Sequence, residues 1–263
     1  LRKYQFGFER RTLKINKEEL IKIYHSRFGT GYKIVDYQSD QQVMIEFLDK
    51  YKYRKTTTFG NIKNEKVKNP YDVSVWGVGY LGDGDYKAKE NHDRTDQYKV
   101  WFNMLQRCYS KNKRDMVVYK TYNGICKVSD EWLNFQNFAE WYDGNFYSIG
   151  EGMMHLDKDI LVPNNKEYSP DTCIFVPQRI NMLFTRQNKV SDSDLPNGIF
   201  RSHLSNGNIR YRVTYNGKYI GTFDIYEDAV ERRKTIRKSH IVKVAKEYRD
   251  LIPVKLYEAL LSQ

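Results

Sequence analysis

The stretch MMHLDKDILVPNNKEYSPDTCIFVP, residues 153–177, gathers His155, the aspartates Asp157, Asp159 and Asp171, the lysine Lys158, two adjacent asparagines and a Ser-Pro turn. These are the residue types of phosphodiester hydrolysis. That reaction needs an activated water, a cation to hold the scissile phosphate and stabilise the leaving oxygen, and ligands for the cation. A hard cation such as Mg²⁺ (or Mn²⁺) takes oxygen ligands. On an extended strand, residues two apart share a face, so His155, Asp157 and Asp159 would line up together. Asn164 and Asn165 read as turn residues. The same composition also fits a loop-rich piece of core, or a site that has lost its chemistry.

The whole chain sets the context. Its 263 residues carry 44 basic and 33 acidic side chains, a net charge of +11. Such a surplus is the long-range signature of a polyanion-binding protein. No window reaches the apolar length that spans a bilayer, and no basic amphipathic helix stands out, so no membrane partner is expected. No charged n-region leads into an apolar h-region, so no secretion signal is read. Cys108, Cys126 and Cys173 are far apart and form no CxxC pair, which fits a reduced intracellular protein without structural zinc. Gly77, Gly79, Gly82 and Gly84 lack phosphate-loop spacing, and His25, His92, His203 and His240 form no metal spacing.

The pattern predicts an α+β chain of three modules. Residues 1–96 read as a small β-rich module. Within it, residues 16–29 predict a short helix, with Asn16 as N-cap and Gly29 past its end. Residues 32–62 alternate, which puts Ile34, Val43, Ile45 and Phe47 on one face of an antiparallel sheet with a turn at 38–41. Residues 68–86 read as irregular, and 87–97 as a polar linker. The middle module, 97–187, begins with a helix over 98–110. A second helix lies over 129–145, capped by Ser129, with the apolar stripe Trp132, Phe135, Phe138, Trp141 and Tyr142. The 153–177 stretch comes next, and then a short helix over 176–188.

The last module, 188–263, opens with a polar linker over 189–198. Three short strands and a helix come after it, with hairpin turns at Asn206-Gly207 and Asn216-Gly217. The second strand alternates basic and apolar residues, which puts Arg210 and Arg212 on one sheet face. Asp224 opens the helix, whose basic face holds Arg232, Arg233, Lys234, Arg237 and Lys238. A final helix lies near 254–261. Between residues 186 and 250, basic side chains outnumber acidic ones 14 to 8. Paired guanidinium forks on a sheet can grip phosphates or read guanine edges.

The order of Gly198, Arg201, the Arg210–Arg212 strand, Asn216-Gly217-Lys218, Gly221-Thr222-Phe223 and EDAV resembles the APETALA/ethylene-response-factor type DNA-binding domain over residues 197–239. That resemblance implies a three-stranded sheet laid in the major groove of duplex DNA, with the helix behind. It makes Arg201, Arg210, Arg212 and Lys218 contacts to DNA, with Arg186 just upstream. Tyr211 or Val213 stands where that family carries tryptophan.

Leu156-Asp157-Lys158, Tyr168-Ser169-Pro170 and Asp171-Thr172-Cys173 resemble the HNH motif of phage homing endonucleases, and the likeness spans residues 98–185. It implies a central ββα-metal module in a protein of the phage-infected host's cytoplasm. Lys158 stands where that motif has its general-base histidine, and Thr172 where it has a second metal ligand. A lysine of ordinary pKa is protonated at neutral pH, so Lys158 would bind phosphate instead. His155 would then act as base and Asp157, Asp159 and Asp171 as Mg²⁺ ligands. The rival expectation is a non-catalytic protein whose nuclease frame serves recognition, including counter-defence against a host nucleoprotein complex. An RNA-binding sheet is a third.

Overall fold

The computed structural model describes residues 15–150, 152–184 and 194–263. It is mixed α+β, with helices and several small sheets along the chain. The chain divides into two compact units. The first holds the described residues up to Gly124 together with Asp130–Glu140, and the second holds Ile125–Ser129 and Trp141–Gln263. The span 97–187 therefore contributes to both units, while 188–263 shares the second with the 153–177 stretch.

In the first unit, helix α1 (Lys17–Ile21) starts where Asn16 caps the Glu18 N–H at 3.2 Å. It is shorter than the helix expected over 16–29. Strand β1 (Tyr24–His25) takes over, pairing with β2 (Gly31–Ser39), and Tyr24 stacks on Tyr32. Buried Ser26 donates to Asp72 at 2.7 Å and pins the turn in between. That tertiary bond is what local helix periodicity does not register. Strands β3 (Gln42–Phe47) and β4 (Arg54–Thr57) complete an antiparallel meander. Ile34, Val43, Ile45 and Phe47 are all buried, as the alternation requires, and pack with Phe59 and Ile62 of helix α2 (Phe59–Lys63).

Residues 68–86 are irregular, and the expected linker at 87–97 forms a minimal hairpin of β5 (Lys89–Glu90) and β6 (Asp93–Arg94). The glycines here have a packing reason. A Cβ on Gly79 would sit 2.5 Å from Leu105, and one on Gly84 would sit 2.4 Å from Gln136. Helix α3 (Asp96–Tyr109) buries Trp101, Met104, Leu105 and Cys108, and α4 (Lys113–Val118) comes after it. The helix expected over 129–145 is broken into α5 (Asp130–Leu133) and α6 (Phe135–Asn145). The break has a cause: Tyr80 donates to the Leu133 carbonyl and accepts from the Phe135 N–H, both at 3.0 Å. Ser129, read as the cap, instead gives its backbone N–H to Tyr168, and its hydroxyl makes no hydrogen bond.

The second unit begins with β7 (Lys127–Val128). Strand β8 (Met154–Asp157) comes next, then β9 (Glu167–Tyr168), which pairs parallel with β7. β10 (Ile174–Pro177) pairs antiparallel with β8 and runs directly into α7 (Gln178–Phe184). Beyond it lies a three-stranded sheet of β11 (Ile199–His203), β12 (Ile209–Tyr215) and β13 (Lys218–Phe223). The chain ends in α8 (Tyr226–Glu247) and α9 (Val254–Leu261). Helix α8 opens after Ile225 rather than at Asp224, and no side chain caps it.

One helix serves two cores. Ala229 of α8 packs with Ile199 and Val213 of the sheet. Ile241, Val244 and Ala245 pack with Ile160, Ile174, Val176 and Ile180 of the hairpin and with Leu256 and Leu260 of α9. Each fully buried valine, isoleucine or leucine among these contributes about 1.5–3 kcal/mol of hydrophobic stabilisation.

Candidate nucleic-acid interface

The C-terminal sheet is built by its turns. Asn216 and Gly217 both have positive φ, 48° and 73°, the conformation that a two-residue hairpin turn needs. The resulting register puts Ile199 opposite Val213, and Val213 opposite Gly221. Val213 is fully buried against α8, and Tyr211 meets Tyr226 at 5.4 Å. The two residues at the resembling family's tryptophan position thus face the helix.

Alternation sends the neighbours of these residues the other way. Arg210 lies opposite Ser202, and Arg212 lies between Phe200 and Thr222. Both arginines are exposed on the face turned away from α8. Arg212 sits over the Phe200 ring at 5.0 Å. Arg210 Nε pairs with Asp224 at 2.5 Å, with both side chains largely in solvent. An exposed pair of this kind is worth about 0–1 kcal/mol, so a phosphate can replace the carboxylate. Lys218 is exposed at the β12–β13 turn. Arg201 is not with them. It lies opposite Tyr211, on the helix side, and its guanidinium grips both oxygens of Asp194. Arg186 lies outside the described residues.

The 153–177 stretch forms the expected ββα order of β8, β10 and α7, with the start of α7 held by a hydrogen bond from Gln178 N to Met153 O at 2.9 Å. His155 and Asp157 both lie on β8, opposite Val176 and Ile174. The strand ends at Asp157, so the same-face argument does not reach Asp159. Asp157 Oδ1 accepts the N–H groups of Asp159 and Ile160, each at 2.8 Å, and so folds the chain back. Burial pushes its carboxyl above its ordinary value, against the pull of those two bonds.

Lys158 turns inward and is 3% exposed. Its ammonium reaches both Asp159 oxygens at 2.7 Å and the Asn165 carbonyl at 2.9 Å. It is thus internally neutralised rather than poised for a phosphate. Asn164 is in the left-handed region, as a turn residue would be. Asn165 does more than turn the chain. Its amide bonds the Lys158 and Glu167 carbonyls, and its Oδ1 accepts the Glu167 N–H. Nothing in the local pattern distinguishes such a clamp from an ordinary turn asparagine. Thr172 donates to the Glu167 carbonyl, and Asp171 stays in a surface turn after Pro170. Cys173, beside Asp157, is wholly buried, and burial pushes its thiol up to about 12.

Two of the three carboxylates expected as Mg²⁺ ligands are already engaged within the protein. Asp157 holds backbone with Oδ1, and Lys158 holds Asp159. Among the described residues no group of three His, Cys, Asp or Glu converges as ligands. No helix of the described residues is long and apolar enough to cross a membrane. Comparison with known proteins finds no matching family model, no similar curated protein and no similar solved structure.

Proposed function

We propose that this chain binds duplex DNA through the outer face of the β11–β12–β13 sheet. The observation that carries this reading is the placement of Arg210 and Arg212 on one exposed face, while the alternate residues Tyr211 and Val213 anchor that sheet to α8. Rigid backing holds two guanidinium forks at a fixed spacing, as groove contacts require. The net charge of +11 supports the same partner. Binding of a labelled duplex, read by fluorescence anisotropy across a salt series, tests it. Arg212→Ala and Arg210→Ala should each weaken binding by about 1–3 kcal/mol, roughly 5- to 150-fold, if they read bases. If they grip phosphate, the slope of log affinity against log salt should fall by about 0.9 per lost contact. Unchanged binding in both variants sinks the proposal, and preference for an RNA duplex of the same sequence redirects it.

A second reading is supported by one observation: the ββα order with His155 and Asp157 on β8. It is metal-dependent phosphodiester hydrolysis of the homing type. Plasmid nicking in Mg²⁺ or Mn²⁺, with chelator, His155→Ala and Asp157→Ala controls, decides it. Cleavage lost in both variants supports an enzyme. No cleavage with intact, salt-sensitive binding leaves a recognition protein, and the search then turns to host nucleoprotein partners.

A further inference from the structure

Helix α8 carries basic side chains in the segment between its two cores. Arg233, Arg237 and His240 fall at helical spacing on one side of it. The first two are half-buried. Arg233 lies 6.0 Å over the ring of Tyr215, at the end of β12. Arg237 lies 5.4 Å over Phe184 and donates to the Leu183 carbonyl at 3.3 Å, at the end of α7. The Tyr215 hydroxyl meets His240 Nδ1 at 2.9 Å. The sheet, α7 and α8 therefore bring two guanidinium groups, a phenol and an imidazole to one place.

Among the described residues this cluster lacks a carboxylate counter-charge. Arg54, Arg179, Arg201 and Arg210 all pair with carboxylates. Among the described residues none pairs with Arg233 or Arg237. The two repel each other, and burial together with that repulsion makes the Arg233 charge harder to hold. Arg233 Nε is buried with no hydrogen-bond acceptor. A buried charged donor without an acceptor is costly, and the cost persists where something offsets it. The backbone is shaped around the same side chain. A Cβ on Gly198 would lie 2.9 Å from Arg233 Nε, so glycine leaves room for the guanidinium.

We propose that Arg233 and Arg237, with Tyr215 and His240 beside them, form a phosphate-binding site between the sheet and α7. A phosphate offers several acceptor oxygens and negative charge, which satisfies the Arg233 Nε and removes the repulsion between the two arginines. This site is separate from the outer sheet face and does not rest on its role. The phosphate is either a free ion or a backbone phosphate of nucleic acid.

Two measurements on the full chain separate these sources. The first is thermal unfolding in inorganic phosphate against chloride at matched ionic strength. The second is the salt slope of duplex binding. Wild type should show a saturable, phosphate-specific rise in Tm. Arg233→Gln and Arg237→Gln should abolish it, and Arg212→Ala should leave it intact. Loss of the rise with an unchanged duplex slope identifies a free phosphate. A slope lowered by about 0.9 in each variant identifies a backbone phosphate, with or without an effect of the free ion. If Arg233→Gln does not fold, Arg237→Gln decides alone. No phosphate-specific rise in wild type together with unchanged slopes overturns the site, as does a rise that survives both substitutions.

Discussion

The hairpin around Lys158 and the sheet around Arg212 lie in one unit and carry similar residues, yet they use charge in opposite ways. In the hairpin, Lys158 points inward and is neutralised by Asp159 and the Asn165 carbonyl. In the sheet, Arg210 and Arg212 point outward while their neighbours form the core. The difference comes from where a strand ends. β12 continues through Arg212, so its period of two holds. β8 stops at Asp157, whose carboxylate bends the chain and redirects the next side chain. Residue type alone does not say whether a cation is a tool for binding or a part of the frame.

The largest effect expected from this contrast is at Lys158. Lys158→Ala should lower unfolding free energy by about 2–4 kcal/mol, through lost stem packing and the lost clamp. Lys158→Met should recover most of it, because Asp159 is half-exposed and can be solvated. Urea unfolding measures both, and a cost under about 1 kcal/mol for the alanine would dissolve the contrast. Gly198→Ala should rank next, at about 1–3 kcal/mol. Its φ is +83°, and the new Cβ would lie 2.5 Å from the Thr214 carbonyl.

The expected regular elements reappear where local rules suffice: the Asn16 cap, the Ile34–Phe47 alternation and the Asn216-Gly217 turn. They fail where a distant group intervenes. Tyr80 splits the helix at Asn134, and Asp72 holds the Ser26 turn in place of a longer helix. At the candidate sites, the outward placement of Arg210 and Arg212 was legible from alternation. The inward turn of Lys158 was not, because Asn165, farther along the chain, makes it.

A smaller effect probes Asp157 as frame rather than ligand. Its carboxyl is raised, so the protonated form is favoured on folding. The associated stability is fully present below the unfolded value near 4 and is lost as pH rises through the folded value. Asp157→Asn keeps an acceptor for both backbone N–H groups, so its stability relative to wild type should improve from about pH 3 to about pH 7. The opposite trend would mean that the ionised form is what the fold prefers. The smallest effect is at Arg201, paired with Asp194 on the helix side. Arg201→Ala should change stability by no more than about 1 kcal/mol and leave duplex affinity unaltered. Weakened binding there would place DNA on the wrong side of the sheet.

The 22 residues of α8 also act as a gear shaft. Every residue added to an α-helix turns its downstream end by about 100° and advances it by about 1.5 Å. The stretch between Val230 and Ile241, two positions that belong to different cores, therefore sets the angular phase of the hairpin relative to the sheet. A one-residue insertion there would break meshing at one end, whereas a seven-residue insertion would restore it to within about 20° while moving the lobes about 10 Å apart.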